Sequence, residues 1–220
     1  MKSENGWGQS CSASRTSATF RSRGTRGDII TASIDGYITG PHDGPGKGLG
    51  EGGERLHYWV FGRPWSYAGG THGEATGADR EYLDSANANV GAVIGGRWTY
   101  EAAEHWGGHN PWPVPFFIVT HRPADEPADR GFTFVDSLDA AMRRAQAAAG
   151  EKDVHVMGGA DLIRQALRAG YVDEFTLTIA PVVLGAGKRL FEGFDEDVQL
   201  EHVRVRQSPF ATHITYRVRH

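Results

Sequence analysis

The run DVHVMGGADLIRQAL, Asp153 to Leu167, constrains this chain more than any other stretch: a short apolar strand drives into Gly158-Gly159, and a helical pattern begins at once. Adjacent glycines let backbone come close to a ligand, and the helix that follows turns unpaired N–H groups and its positive dipole end toward whatever sits there. That is the local chemistry of a phosphate site. The same residues also suit a tight strand-to-helix turn whose glycines serve only a positive φ.

A second copy of this device, NVGAVIGG into RWTYEAAEHW, starts at Asn89 and predicts a buried strand, paired glycines at Gly95-Gly96 and a helix from Arg97 through Trp106. Around the two copies, DIITASIDGYITG from Asp28 reads as a strand, and Gly40 to Gly53 reads as a flexible glycine-rich loop. Glu54 to Phe61 suits a short amphipathic helix. Gly62 to Gly77 is irregular, and a helix follows from about Ala78 to Ala88. Strands are expected at Pro115–Thr120, Phe132–Val135 and Val154–Met157, and helices at Leu138–Ala149 and Asp161–Ala169. EFTLTIAPVVL, a Gly185-Ala186-Gly187 loop and the alternating segments VQLEHVRVRQ and THITYRVRH close the chain. Strands alternating with helices, then an antiparallel pair, describe an α/β protein with a mixed, mostly parallel sheet and helices on both faces.

At 220 residues and 39% hydrophobic content the chain can bury one good core, so a single domain over 28–220 is expected. Residues 1–27 are rich in Ser, Gly and Arg and read as a disordered leader. That leader holds five basic residues against Glu4, a net of +4 that leaves −8 for the remainder of a chain whose total is −4. An acidic folded part argues against a nucleic-acid partner. No apolar run approaches the roughly 20 residues of a membrane span. The single cysteine, Cys11, fits a reducing cytoplasm.

Two glycine turns side by side at the carboxyl edge of a parallel sheet could grip a pyrophosphate, with Arg97 and Thr99 adding a charge and a hydroxyl. Neither turn has the spacing of the ordinary dinucleotide fingerprint or of a phosphate-binding ATPase loop. Arg97 also suits a surface ion pair. Thr120-His121-Arg122 ends a strand where a ribose phosphate could be met, and Arg122 with no acid there leans toward NADP over NAD. A polar strand end capped by Pro123 is the other reading of these residues.

TASIDGYITG, IGGRWTYE, IVTHRP, VHVMGGADLIRQAL and VDEFTLTIAPVVLGAGKRLFEG stand in the order seen in the dihydrofolate-reductase-like superfamily, which this chain resembles from Asp28 to His220. It is most similar to the branch holding the reductase domain of the riboflavin-pathway deaminase-reductase. The zinc deaminase signature is absent from the sequence, so only the reductase half is represented. The resemblance implies NADPH as cofactor, a homodimer and hydride transfer to a C=N or C=O bond. It implies that Gly96, Arg97, Thr99 and Gly158, Gly159, Ala160, Asp161 hold the pyrophosphate. Thr120 and His121, next to Arg122, would lie near the adenosine phosphate, and Thr31 and Ile38 near the nicotinamide. Ser33 and Asp35 match an S-x-D-G signature after which the glycine-rich loop closes over the cofactor, as a lid that excludes water.

Dihydrofolate reductases proper carry an acid on the helix after the first loop; here that helix reads GERLHYWVFG, which makes folate reduction doubtful. Glu54 and His57 are the catalytic candidates, His57 also suiting an interfacial helix position. A ribosylaminopyrimidine phosphate would need basic groups, for which Lys47, Lys188 and Arg189 are candidates. The aromatic and histidine-rich segments around Tyr58, Trp59, Trp65, Trp106, His109 and Trp112 suggest a flat apolar substrate, or core packing. His105 and His109 have i,i+4 spacing but Gly107-Gly108 lie between them and no third ligand follows, so no metal is expected. A non-catalytic ligand sensor on the same fold is the alternative function.

Overall fold

The computed structural model describes residues 25–123 and 131–220. The leader as far as residue 24, including Cys11, lies outside them. In chain order the strands are β1 (Thr25–Ser33), β2 (Tyr37–Thr39), β3 (Val90–Gly96), β4 (Phe116–Val119), β5 (Phe132–Val135), β6 (Asp153–Met157), β7 (Glu174–Ala180), β8 (Lys188–Arg189), β9 (Leu200–Gln207) and β10 (Thr212–Val218). The helices are α1 (Tyr58–Phe61), α2 (Gly77–Asn87), α3 (Arg97–Ala102), α4 (Leu138–Ala149) and α5 (Ala160–Arg168).

Eight strands form one sheet in the order β5-β4-β3-β6-β1-β7-β10-β9, parallel as far as β7 and antiparallel through β10 and β9. The strand expected over DIITASIDGYITG breaks after Ser33, where Gly36 takes φ of 86°, and its end, β2, makes a separate antiparallel pair with β8, whose two residues carry no periodicity. β1 begins three residues before the expected onset of order, since Thr25, Arg26 and Gly27 pair with Val154, His155 and Val156. β7 ends at Ala180, where Pro181 interrupts the apolar run.

Alternation along the central strands serves two cores. Ala92 and Ile94 of β3 and Val154 and Val156 of β6 pack with Met142 and Ala145 of α4 and Ile163 and Leu167 of α5. Val93, on the opposite face, packs with Tyr100 of α3, Phe116, Ile118 and Phe132. Each fully buried aliphatic or aromatic side chain contributes roughly 1.5–3 kcal/mol, so both helical layers hold onto the sheet. The α4 start is local chemistry: Ser137 Oγ accepts from Ala140 N.

The helix expected through Trp106 stops at Ala102. Glu104, His105 and Trp106 take φ of 49°, 59° and 48°, and this left-handed stretch swings Trp106 onto Phe132 and Phe116 at ring separations of 5.8 and 5.3 Å. Aromatic burial there outweighs helix continuation. Likewise the expected helix from Glu54 is a 3-10 turn, Gly53–His57, followed by the single turn of α1.

Candidate functional site

The parallel register of β3 with β6 sets Gly95 beside Met157, so the two glycine turns leave the sheet edge together. Gly96 N donates to Gly158 O at 3.1 Å, fastening one turn to the other. Gly158 has φ of 31° and joins Gly159 through a cis peptide. Both turns form the floor of a cleft of about 1110 Å³ that runs over the carboxyl ends of the strands. Ile163 N reaches back to Gly159 O, which leaves the amides of Ala160, Asp161 and Leu162 as the orphan donors of the first α5 turn.

A hypothetical Cβ on Gly159 would have one neighbour within 4 Å, Thr99 Oγ1 at 3.5 Å. The protein therefore does not demand glycine there for its own packing, and the bare backbone opens onto the cleft. Beside it, Arg97 Nε donates to Glu101 Oε1 at 2.7 Å and its Nη1 to Thr120 Oγ1 at 3.4 Å, which ties the α3 turn to the end of β4. Thr120 is buried and also accepts from Arg122 N. His121, Arg122, Ser137 and Asp161 line the same end of the cleft.

The glycine-rich loop is folded on itself: Gly40 N bonds Leu49 O at 2.7 Å, and Gly44 and Lys47 exchange backbone bonds. It is latched to both banks of the cleft by Asp43, whose Oδ2 accepts from Trp98 Nε1 at 2.7 Å and pairs with Lys188 Nζ at 2.6 Å. The Lys188 ammonium also lies 4.2 Å over the Trp98 ring.

At the other end of the cleft, Thr31 Oγ1 accepts from the buried Trp59 indole N–H at 3.0 Å. Trp59 in turn packs edge-on against His213, with centroids 4.9 Å apart. His213 sits between Asp79 Oδ1 at 2.8 Å and Thr178 Oγ1 at 2.9 Å, all three buried. Thr31, Thr178 and His213 are register partners across β1, β7 and β10, so one row of the sheet carries the cleft wall into a buried polar network. Burial lowers the His213 pKa against the opposing pull of Asp79, and its imidazole is read as neutral, donating from Nε2 to the carboxylate. His57 also lines the cleft; the protein packed around it desolvates the imidazolium and lowers its pKa to about 4.

The cleft brings together Thr31, Ile38, His57, Gly96, Arg97, Thr99, Thr120, His121, Arg122, Gly158, Gly159, Ala160 and Asp161. Six other candidates lie elsewhere. Glu54 is half-buried in its 3-10 turn near Tyr67, off the cleft lining. Tyr58 turns its ring toward Phe210, centroids 6.5 Å apart. Ser33 Oγ, fully buried, accepts from Tyr37 N. Asp35 accepts from Leu184 N and Gly185 N, and its hydrogen bond with Ser33 together with those two amides lowers its pKa to about 2. Ser33 and Asp35 thus brace the β1–β2 turn against the 184–185 loop. Trp106 belongs to the aromatic core described above, and the exposed His109 bonds Gly107 O. His105 stacks on Tyr100. Among the described residues no group of three or more His, Cys, Asp or Glu is placed to hold a metal, and no helix is long and apolar enough to cross a membrane.

Sequence reasoning missed Asp43, Trp98 and His155 as cleft residues. Only His155 left a signal, as the one polar residue inside VHVM; the partners of Asp43 are distant in sequence.

Residues 29–214 match the RibD C-terminal domain family. The chain belongs to that family. The uncharacterized protein YyaP of Bacillus subtilis (strain 168) is 47% identical over 55 residues, 25% of this chain and 29% of that protein. The chain therefore matches less than a third of the length of YyaP. The uncharacterized protein YwjB of the same organism is 28% identical over 127 residues, 58% of this chain and 73% of YwjB. A candidate riboflavin biosynthesis protein from Shewanella sp. PV-4 superposes with a TM-score of 0.66 at 19% identity, covering 89% of this chain and 99% of that one. A dihydrofolate reductase from Enterococcus faecalis complexed with NADP(H) gives 0.57 at 18%, covering 89% and 97%. A pyrimidine reductase-like protein from Corynebacterium diphtheriae gives 0.59 at 16%, covering 90% and 92%. The fold is dihydrofolate-reductase-like.

Proposed function

We propose that this protein is an NADPH-dependent reductase that passes hydride to a C=N or C=O bond of a small planar heterocyclic or carbonyl compound. The observation that carries the proposal is the Gly96–Gly158 hydrogen bond, which holds two bare glycine turns together at the floor of one cleft. The α5 first-turn amides, Thr99 and Arg97 suit a pyrophosphate, and Thr120, His121 and Arg122 suit the adenosine phosphate. Thr31 and Ile38, which line the same cleft, suit the nicotinamide. NADPH supplies the hydride when bound. The chain orients donor against acceptor, and the latched loop 40–53 restricts water. His57, its pKa lowered to about 4 by burial, serves as a hydrogen-bond partner of the acceptor, and the proton that completes the reduction is supplied by solvent water, directly or through that imidazole.

The same reading makes the protein a cytoplasmic homodimer; light scattering on the purified chain tests the oligomer, and a monomer would overturn that part. Titration with NADPH tests the cofactor. Saturable enhancement of nicotinamide fluorescence is expected, with stabilisation of about 2.7 kcal/mol at a hundredfold excess over Kd. No shift in melting temperature at roughly millimolar NADPH refutes the reading. Binding without turnover on any pterin, ribosylaminopyrimidine phosphate, quinone or imine would instead make the chain a ligand sensor.

A further inference from the structure

We infer that the acceptor taken by this cleft is an uncharged, largely apolar planar molecule, and that acceptors carrying a phosphate are disfavoured. The inference rests on the cofactor reading above, because NADPH at the glycine turns leaves the opposite end of the cleft for the acceptor. That end is walled by Thr31, Leu49, His57, Trp59, Val60 and Leu83. Trp59 presents carbon only, since its single N–H is spent on Thr31. Val60 and Leu83 belong to the apolar cluster around Trp59 and Tyr82. Thr31, already accepting from the indole, keeps its O–H to donate, which suits one carbonyl oxygen or ring nitrogen.

The cations bordering the cleft are committed within the protein. Lys188 is paired with Asp43 at 2.6 Å. Arg189 donates to Tyr37 Oη at 3.0 Å and to Asp35 O at 3.1 Å, and its guanidinium lies over the Tyr37 ring. Arg164 pairs with Glu192 at 2.9 Å and donates to Arg189 O. A phosphate would have to share these cations with the contacts they already make. Arg97 and Arg122 stand at the cofactor end. His155, also on the cleft wall, is engaged within the protein, and His57 is held neutral by its surroundings. Among the described residues no unpaired carboxylate that would hold a protonated heterocycle stands on this wall, because Glu54 lies off the cleft and Asp43 is bound by Trp98 and Lys188. A charge placed here would lose its hydration without gaining a partner.

Equilibrium dialysis of the full chain, with and without NADP+, tests the inference using 1,4-naphthoquinone as the uncharged probe and a ribosylaminopyrimidine 5′-phosphate as the charged one. The quinone is expected to bind at least tenfold more tightly. Equal or tighter binding of the phosphate overturns the inference, as does failure of the quinone to bind. The NADPH titration fails or succeeds separately, so loss of the cofactor reading is distinguished from loss of the acceptor reading. Leu83→Lys, checked for fold by circular dichroism and backed by Val60→Lys, adds a free cation to the wall. It is expected to weaken quinone binding about tenfold and strengthen phosphate binding by a similar factor. Unchanged affinities in both folded variants would remove the wall assignment.

Discussion

Gly159 matters for what it leaves open. Its φ of −81° is ordinary backbone that a side chain tolerates, and a Cβ would meet only Thr99 Oγ1 at 3.5 Å. Gly159→Val is therefore predicted to fold with a stability change of about 0.5 kcal/mol, the size seen for substitutions that create neither cavity nor clash. Its isopropyl group would fill the space proposed for the pyrophosphate. NADPH binding is expected to fall by at least a hundredfold, read from the fluorescence titration, and unchanged affinity would remove the assignment. The glycine pair itself was legible in the sequence. What the sequence left open was whether the pair served a turn or a ligand, because that depends on atoms contributed by a second glycine turn on another strand.

Helix α2 shows how an element acquires a role from a partner it cannot announce. Asp79, in its first turn, reaches His213 on β10, and this buried contact pins the helix that brings Leu83 to the cleft. Asp79→Ala should leave the His213 N–H buried without an acceptor and cost about 2–4 kcal/mol in urea denaturation, while Asp79→Asn, which keeps an acceptor oxygen, should cost less. The glycine-rich loop is a second case. Its composition reads as flexible, yet glycine is what permits the fold it takes: Gly50 has φ of 71°, and a Cβ there would overlap the Gly40 carbonyl. Asp43→Ala, which removes the acceptor shared by Trp98 and Lys188, is expected to raise amide exchange across 41–50 by roughly tenfold, the factor for about 1.4 kcal/mol of lost latch, within the range of charge-assisted hydrogen bonds. Exchange no faster than wild type would show that the latch does not hold the loop. Expectation and structure agree closely in β3, β5, α4 and α5, where the periodicity lies in consecutive residues with a clear stop at each end. They part at the 3-10 turns and the left-handed stretch at Glu104, where packing of aromatic rings overrides local propensity.

At the scale of the molecule, two imidazoles and one carboxylate among the described residues shape the acid side of the pH response. His57, lowered to about 4, and His213, also lowered, refuse protons that the unfolded chain binds near 6.5. Stability therefore falls as pH drops below about 6.5, for His57 by up to ~1.4 kcal/mol per pH unit until about pH 4, and His213 acts in the same direction. Asp35, held near 2, contributes stability that is present above about 3.8 and lost as pH falls through 2. Urea midpoints at pH 7.5 and 5 check the first limb, and His57→Asn should flatten it; an equal midpoint at both values would contradict the assignment. The sequence by itself determined the α/β class, the two glycine turns and the family, because strand and helix periodicity and short backbone motifs are written in consecutive residues. The tertiary structure alone decided which side chains line the cleft. Thr31, Thr178 and His213 become neighbours through strand register, and Trp59, Asp43 and Leu83 reach the cleft from three different elements. Glu54 and Trp106 turn elsewhere because one stands off the cleft in its 3-10 turn and the other gains more by packing against Phe116 and Phe132. Such convergence depends on distances between segments remote in the chain, which no local pattern encodes.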